Sequence, residues 1–319
     1  MDFLYVTFAV SGVKTWVFLP PLVAFVVSFF TSMGGVSGAF MLLPFQMSVL
    51  HYTAPSVSGT NQLFNIVAIP SGVWRYIKEK RMVWPLAWTV VIGTLPGVFI
   101  GVWVRLEYLP DPRNFKFFAG LVLLYVGVRL FRDIIKTMKK PSGGNGKQTT
   151  GETTQSVPQA TTQAASQNFV VTDTRFSLKK IEFGFGGEHF SFSLLGVLTL
   201  CFIVGIVGGI YGIGGGAIVA PFFVAFFHLP VHAVAGAALL GTFMTSIAGV
   251  ATYQLLSNFY VGVSVAPDWY LGILFGIGGF CGMYLGARCQ KYVPAHKIKF
   301  ILCFCVVFIA VKYIFDFIK

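Results

Sequence analysis

The residues with the most distinctive chemistry in this chain are small and uncharged. Gly208-Gly-Ile-Tyr-Gly-Ile-Gly-Gly-Gly216 is followed five residues on by Pro221, and a thinner version, Gly34-Gly-Val-Ser-Gly38, precedes Pro44. In an apolar helix such a run lowers the barrier to unwinding. A helix that restarts beyond it presents backbone N–H groups with no intrahelical acceptor. Those donors, with the positive end of the helix dipole, favour an anion without any charged side chain. Other readings compete. Gly212-Ile-Gly214-x-x-Ala217 formally matches a dinucleotide fingerprint, but that loop needs a strand before it and a βαβ unit around it, and the sequence offers neither. A plain close-packing surface between helices accounts for the same glycines and stays open beside the helix break.

Polar side chains follow each run. The first half has Thr60, Asn61, Gln62 and Asn65, and the second has Thr242, Thr245 and Ser246. Asn61 and Asn65 are one helical turn apart, as are Thr242 and Ser246. Such groups either tie helices together or ligate a substrate beside the breaks. The candidate substrate ligands are Gly34, Gly35, Ser37, Gly38, Asn61, Gln62, Asn65, Gly212, Gly214, Gly215, Thr242, Thr245 and Ser246. His51 and His228 occupy equivalent positions after the short helices, with His232 nearby. They are either interfacial residues or the groups for proton coupling near pH 7. Arg75 and Arg129 lie near segment ends, where snorkelling and an anion vestibule are both open. No Asp or Glu lies deep in an apolar segment, since Glu79, Glu107, Asp111, Asp133 and Asp268 all sit near segment ends. A cation carrier usually keeps a carboxylate at membrane depth, so the balance tilts toward anions. With no nucleophile–base pair and no metal-ligand pattern, no enzyme activity, metal or cofactor is expected.

These residues must be positioned by membrane-spanning elements. The 319-residue chain is 55% hydrophobic and 11% charged, with a mean hydropathy of +0.77, too little charge to cover a water-facing surface. Its formal net charge of +12 gathers at helix ends and in one linker, which fits orientation in a bilayer and not nucleic-acid binding. Apolar runs over 16–36, 55–77, 85–105 and 114–135, then 194–213, 232–257, 268–287 and 297–318, approach the roughly 20 residues a spanning helix needs. The pieces 39–50 and 217–227 are too short to cross and read as half-helices. From Pro141 to Asn168 the chain turns to Ser, Thr, Gln and Gly, a flexible linker. Residues 176–193 alternate and carry Gly186-Gly187, as a small β-hairpin would. The five cysteines, with no C-x-x-C pair, read as buried inert thiols. The N-terminus shows no basic leader, so no cleaved signal is expected.

The halves repeat. Placing Pro44 on Pro221 sets an offset of 177 residues that also pairs Gly35 with Gly212, Gly38 with Gly215, His51 with His228, Gly59 with Gly236, Gly72 with Gly249 and Tyr76 with Tyr253. Gly93/Gly97/Gly101 and Gly278/Gly282/Gly286 repeat small residues at four-residue spacing, a close-packing face. The loop Arg75-Tyr-Ile-Lys-Glu-Lys-Arg81 is strongly basic, whereas its counterpart, Ser257 to Asp268, has no Lys or Arg. With basic loops in the cytoplasm, the halves are upside down relative to each other, the linker and hairpin lie inside, and both termini lie outside. The expected architecture is an all-α integral membrane protein with two inverted-topology repeats, residues 1–140 and 194–319, joined by 141–193. Its broken helices meet near the membrane midplane.

Gly212-Ile-Gly-Gly-Gly-Ala-Ile-Val-Ala-Pro221, its duplicate ending at Pro44 and the long linker between halves resemble the sulfite exporter TauE/SafE family over nearly the whole chain. The resemblance implies transport of sulfite, a sulfonate or a related organosulfur anion in a prokaryotic inner membrane, commonly outward. Ser37 and Ala39 depart from the glycines at 214 and 216 of the second half, and Ser37 could add a hydroxyl donor. A channel-like or uptake protein for another small anion, or a carboxylate such as acetate, is the alternative. The expected partners are a small anion and the lipid bilayer. The oligomeric state is open, a homodimer included.

Overall fold

The computed structural model describes residues 4–33, 37–80, 82–139, 171–176, 180–185, 188–227, 231–260, 262–289 and 295–318. The first half runs β1 (Tyr5–Thr7), β2 (Lys14–Trp16), α1 (Leu19–Met33), α2 (Ala39–Ser48), α3 (Ser56–Ala68), α4 (Pro70–Lys78), α5 (Trp84–Glu107) and α6 (Pro112–Lys139). Then come β3 (Val171–Phe176), β4 (Lys180–Phe185), β5 (Glu188–Ser193), α7 (Leu194–Tyr211), α8 (Gly215–Phe226), α9 (Val231–Leu256), α10 (Trp269–Cys289) and α11 (Ala295–Ile318). Four described stretches are long and apolar enough to cross a membrane: Trp84–Glu107, Leu194–Tyr211, Val234–Leu256 and Trp269–Gly286.

Local chemistry sets the element ends. The helix expected over 55–77 is interrupted between α3 and α4, because Pro70 has no N–H to continue the ladder. Ile69 keeps a right-handed helical backbone (φ −69°, ψ −32°), so the interruption is a missing bond and not a turn. Ser193 caps α7 by accepting from Gly196 N at 3.4 Å, and Asp268 caps α10 by accepting from Leu271 N at 3.1 Å.

The hairpin expected over 176–193 forms part of a three-stranded antiparallel sheet, in which β4 pairs β5 from Lys180↔Ser193 to Phe185↔Glu188 and β3 adds the far edge. Gly186-Gly187 and the 141–168 linker lie outside the described residues. A second hairpin, β1–β2, was not expected from the sequence. It is pinned by Ser11, whose N–H and hydroxyl both donate to Asp268 Oδ2 at 3.1 and 2.7 Å.

Helix packing falls into matched pairs. α5 lies along α7 as α1 lies along α10, α5 meets α9 as α10 meets α3, and α8 meets α9 as α2 meets α3; α6 packs on α11. The glycine faces make the closest approaches. A Cβ added at Gly97 or Gly101 would strike the carbonyl oxygen of Phe202 or Ile206 in α7. One added at Gly282 or Gly286 would strike that of Phe25 or Phe29 in α1. Phe25 and Phe202 are equivalent at the 177-residue offset, as are Phe29 and Ile206. Likewise the Tyr253 ring lies against Gly59 and the Tyr76 ring against Gly236, while Gln62 covers Gly249 and Leu239 covers Gly72.

Cys201 and Cys303 are buried, but Cys289 and Cys305 are half-buried and Cys281 is exposed, which corrects the expectation of five buried thiols. α10 turns one glycine face to α1 and another, through Gly272, Gly276 and Gly279, to α3, and Cys281 falls on neither.

Candidate functional site

The second-half glycine run is a helix break. Gly212 adopts a left-handed conformation (φ 82°, ψ 24°) and donates to the Gly208 carbonyl at 2.9 Å, closing α7. Gly214, at φ 75° and ψ 145°, holds a backbone that a side chain tolerates poorly, and it opens α8. In the first half α1 stops at Met33 and α2 starts at Ala39, while Gly34 and Gly35 lie outside the described residues. Gly38 is right-handed there (φ −66°, ψ −21°), and neither Ser37 nor Ala39 has a positive φ, so the α2 side of this break accepts side chains where the second half has glycine. α2 has 10 residues and α8 has 12. At 1.5 Å per residue they are about 15 and 18 Å long, half a bilayer core.

Two asparagines of α3 tie the breaks together. Asn61 Nδ2 donates to the Ala39 carbonyl at the start of α2 and to the Gly212 carbonyl, both at 3.0 Å. Asn65 Nδ2 donates to the Ile213 carbonyl at 3.0 Å and to Ser246 Oγ of α9 at 3.3 Å. Their carbonyl oxygens are also engaged: Gln46 Nε2 donates to Asn61 Oδ1 at 3.3 Å, and Ser37 Oγ donates to Asn65 Oδ1 at 3.2 Å. All of these side chains are buried.

The first amide of each short helix meets a hydroxyl. Gly215 N donates to Thr245 Oγ1 at 3.2 Å, and Ala39 N donates to Ser37 Oγ at 3.4 Å. Thr245 and Thr242 also donate back to their own helix, to the carbonyls of Gly241 and Ala238. A Cβ at Gly216 would collide with the Ala238 carbonyl and Thr242, so α8 begins pressed against α9. Gln62 sits apart from this network. Its amide is buried with neither nitrogen nor oxygen hydrogen-bonded, as are Gln46 Oε1 and Ser28 Oγ, the latter facing Gly38.

The structure therefore brings Ser37, Gly38, Asn61, Asn65, Gly212, Gly214, Gly215, Thr242, Thr245 and Ser246 into one buried cluster, with Gln62 at its edge. His51 is not part of it: it is exposed, in a left-handed turn (φ 54°) between α2 and α3. His228 lies outside the described residues.

Several residues that reach the site were not singled out from the sequence. Tyr211 donates its hydroxyl to the Phe40 carbonyl of α2 at 3.0 Å, and Ser58 donates to the Ile210 carbonyl at 3.3 Å. Tyr52 contacts Thr60 hydroxyl to hydroxyl at 3.0 Å. Tyr211 directly precedes Gly212, a position that could have flagged it. Ser58 and Tyr52 carry no local signal.

The Sulfite exporter TauE/SafE family model matches residues 21–313. The chain belongs to that family. Among curated relatives, this TauE/SafE chain is 21% identical over 294 residues to the probable membrane transporter protein YunE of Bacillus subtilis (strain 168), covering 89% of this chain and 92% of the relative. It is 25% identical over 107 residues to the probable membrane transporter protein YdhB of the same organism, covering 33% of this chain and 40% of the relative. No solved structure matches it. Family membership and the apolar helices make this TauE/SafE chain a multi-pass membrane protein of a transporter family.

Proposed function

We propose that this chain is a secondary transporter that exports a small sulfur-containing anion, such as sulfite or a sulfonate, held where α2 and α8 begin. The observation that carries this reading is the shared polar cluster at the two half-helix starts, cross-tied by Asn61 and Asn65 and sealed from solvent. The first N–H groups of a helix lack intrahelical acceptors, and the dipole adds partial positive charge there. Ser37 and Thr245 cover one amide each. An anion that displaces these hydroxyls takes over the amides, and the freed hydroxyls become further donors to it. No carboxylate competes in the cluster.

The paired helix contacts and the alternating basic loops support two inverted repeats, with the basic Arg75–Arg81 loop and the β3–β5 sheet in the cytoplasm of a prokaryotic cell and both termini outside. Transport would then proceed by rocking one repeat against the other around the breaks.

The test is flux in proteoliposomes reconstituted with the full chain. Sulfite or sulfoacetate should leave loaded vesicles faster than from empty-lipid controls, saturably, and faster under a proton or sodium gradient. Saturable flux indifferent to every gradient would favour a channel-like protein, and flux of acetate alone would move the substrate to carboxylates. No flux of any of these anions would overturn the reading.

A further inference from the structure

Among the described residues two charged side chains are buried, Asp268 and Arg105. Asp268 is fully engaged as the cap of α10 and the anchor of Ser11. Arg105, near the end of α5, is not. Its Nη1 donates to the Leu109 carbonyl, and its guanidinium lies over the Phe115 ring, 3.8 Å from the centroid. Its Nε and Nη2 have no hydrogen-bond partner. Glu107 stands two residues on, a spacing that does not share a helix face, and it accepts instead from the Tyr260 hydroxyl at 3.2 Å. A buried cation without a counter-charge is costly, and its persistence calls for a partner that comes and goes.

The location fits such a partner. Tyr253, whose hydroxyl is likewise buried and meets the Ser58 side chain without a well-formed hydrogen bond, packs with Val98, Val102 and Leu106 of α5 and lies within electrostatic reach of Arg105. Its ring touches Gly59, and the neighbouring Ser58 has its backbone against Gly212. On the other side Phe115 meets Tyr211, ring centroids 6.5 Å apart, and Tyr211 reaches α2 through the Phe40 carbonyl. Arg105 is thus connected to α2 through Phe115 and Tyr211, and to Gly212 at the end of α7 through Tyr253 and the Ser58–Gly59 backbone.

We infer that Arg105 is an oxyanion ligand, its Nε–H and Nη2–H edge binding two oxygens of a sulfite, sulfonate or carboxylate together with the Tyr253 hydroxyl. Those two groups lie on one edge of the guanidinium and form the fork that matches a two-oxygen face, which a halide cannot satisfy. The inference rests on the transporter reading and deepens it: the substrate class is an oxyanion, and one arginine, connected to the helix breaks through Tyr253 and Phe115, meets its charge. The competing role, a cap for the α5–α6 turn, uses only Nη1 and the Phe115 stack.

Thermal unfolding of the full chain in detergent separates the two. Wild type, Arg105→Gln and Arg105→Lys are compared with sodium sulfite, sodium methanesulfonate and sodium chloride at matched ionic strength. Wild type should be stabilised saturably by the two oxyanions and not by chloride. In Arg105→Gln the half-saturating concentration should rise by about tenfold or more. Without anion this variant should melt at or above wild type, because an unpaired buried charge has gone. Arg105→Lys, which keeps the charge but not the fork, should need severalfold more sulfite. A Gln variant that melts well below wild type yet responds normally to sulfite overturns the inference in favour of the cap. If the Gln variant does not fold, a Lys variant with wild-type half-saturation overturns it, and a shifted one upholds it. Failure of wild type to respond to either oxyanion would overturn the transporter reading and this inference together, whereas a responding wild type with unchanged variants overturns this inference alone.

Discussion

Asn61 and Asn65 commit both amide hydrogens to backbone carbonyls and a hydroxyl, so their first task is to hold the breaks in place. Replacing Asn65 by alanine leaves the buried Ile213 carbonyl unpaired, at a cost of about 1–3 kcal/mol. The expected outcome is a lower melting temperature and a smaller stabilisation by sulfite, read by thermal unfolding with and without the anion; an unchanged melting temperature would remove Asn65 from the scaffold. Gly214→Ala should be comparably harmful, about 1–3 kcal/mol, because its backbone is one that side chains avoid and its Cβ would press on Ser246 and Thr242. An alanine variant that melts like wild type would contradict the break geometry. Asparagines and threonines spaced one turn apart beside a glycine run were legible in the sequence, since helix period alone puts them on one face. Arg105 was not. In the linear sequence it is one more basic residue near a loop, and its burial, with Phe115 folded over it, comes from tertiary packing.

At the scale of elements, the short helices and their glycine starts could be read directly, because ten or twelve apolar residues cannot cross a bilayer and glycine runs mark breaks. Pro70 shows the limit of that reading. Within the run 55–77 it is the missing proline N–H, and not the polar side chains, that divides the helix. The three-stranded sheet exceeds the expected hairpin because β3, Val-Thr-Asp-Thr-Arg-Phe, lacks a clear alternation, and its bulge between Thr172 and Arg175 breaks the register. The glycine faces were readable as close-packing surfaces, but which helix each one meets depends on tertiary structure. Gly97→Leu and Gly282→Leu should each destabilise severely, by about 3 kcal/mol or more, since the added side chain meets backbone that cannot move aside. Folding yield by fluorescence-detected size exclusion, with exposed Ile92→Ala as control, checks this. Tolerance of leucine at either site would contradict the backbone contacts described for α5 on α7 and α1 on α10.

At the scale of the whole molecule, the proposed duplication rests on residues kept in register at one offset, and the packed helix pairs are arranged as it requires. Orientation rests on loop charge. In a variant lacking native cysteines, single cysteines at Lys78 and Ser177 should label only from the cytoplasmic side, and one at Asn258 only from outside. Labelling of Lys78 and Asn258 from the same side would contradict the inverted arrangement.

The central claim is a negatively charged solute held where α2 and α8 begin, and cryo-electron microscopy of the full chain in nanodiscs with sulfite tests it most directly. The account predicts both helices broken and density for the anion within hydrogen-bonding reach of the main chain at Ala39 or Gly215. Helices that run unbroken from α1 into α2 and from α7 into α8, or an anion bound away from both starts, would contradict it.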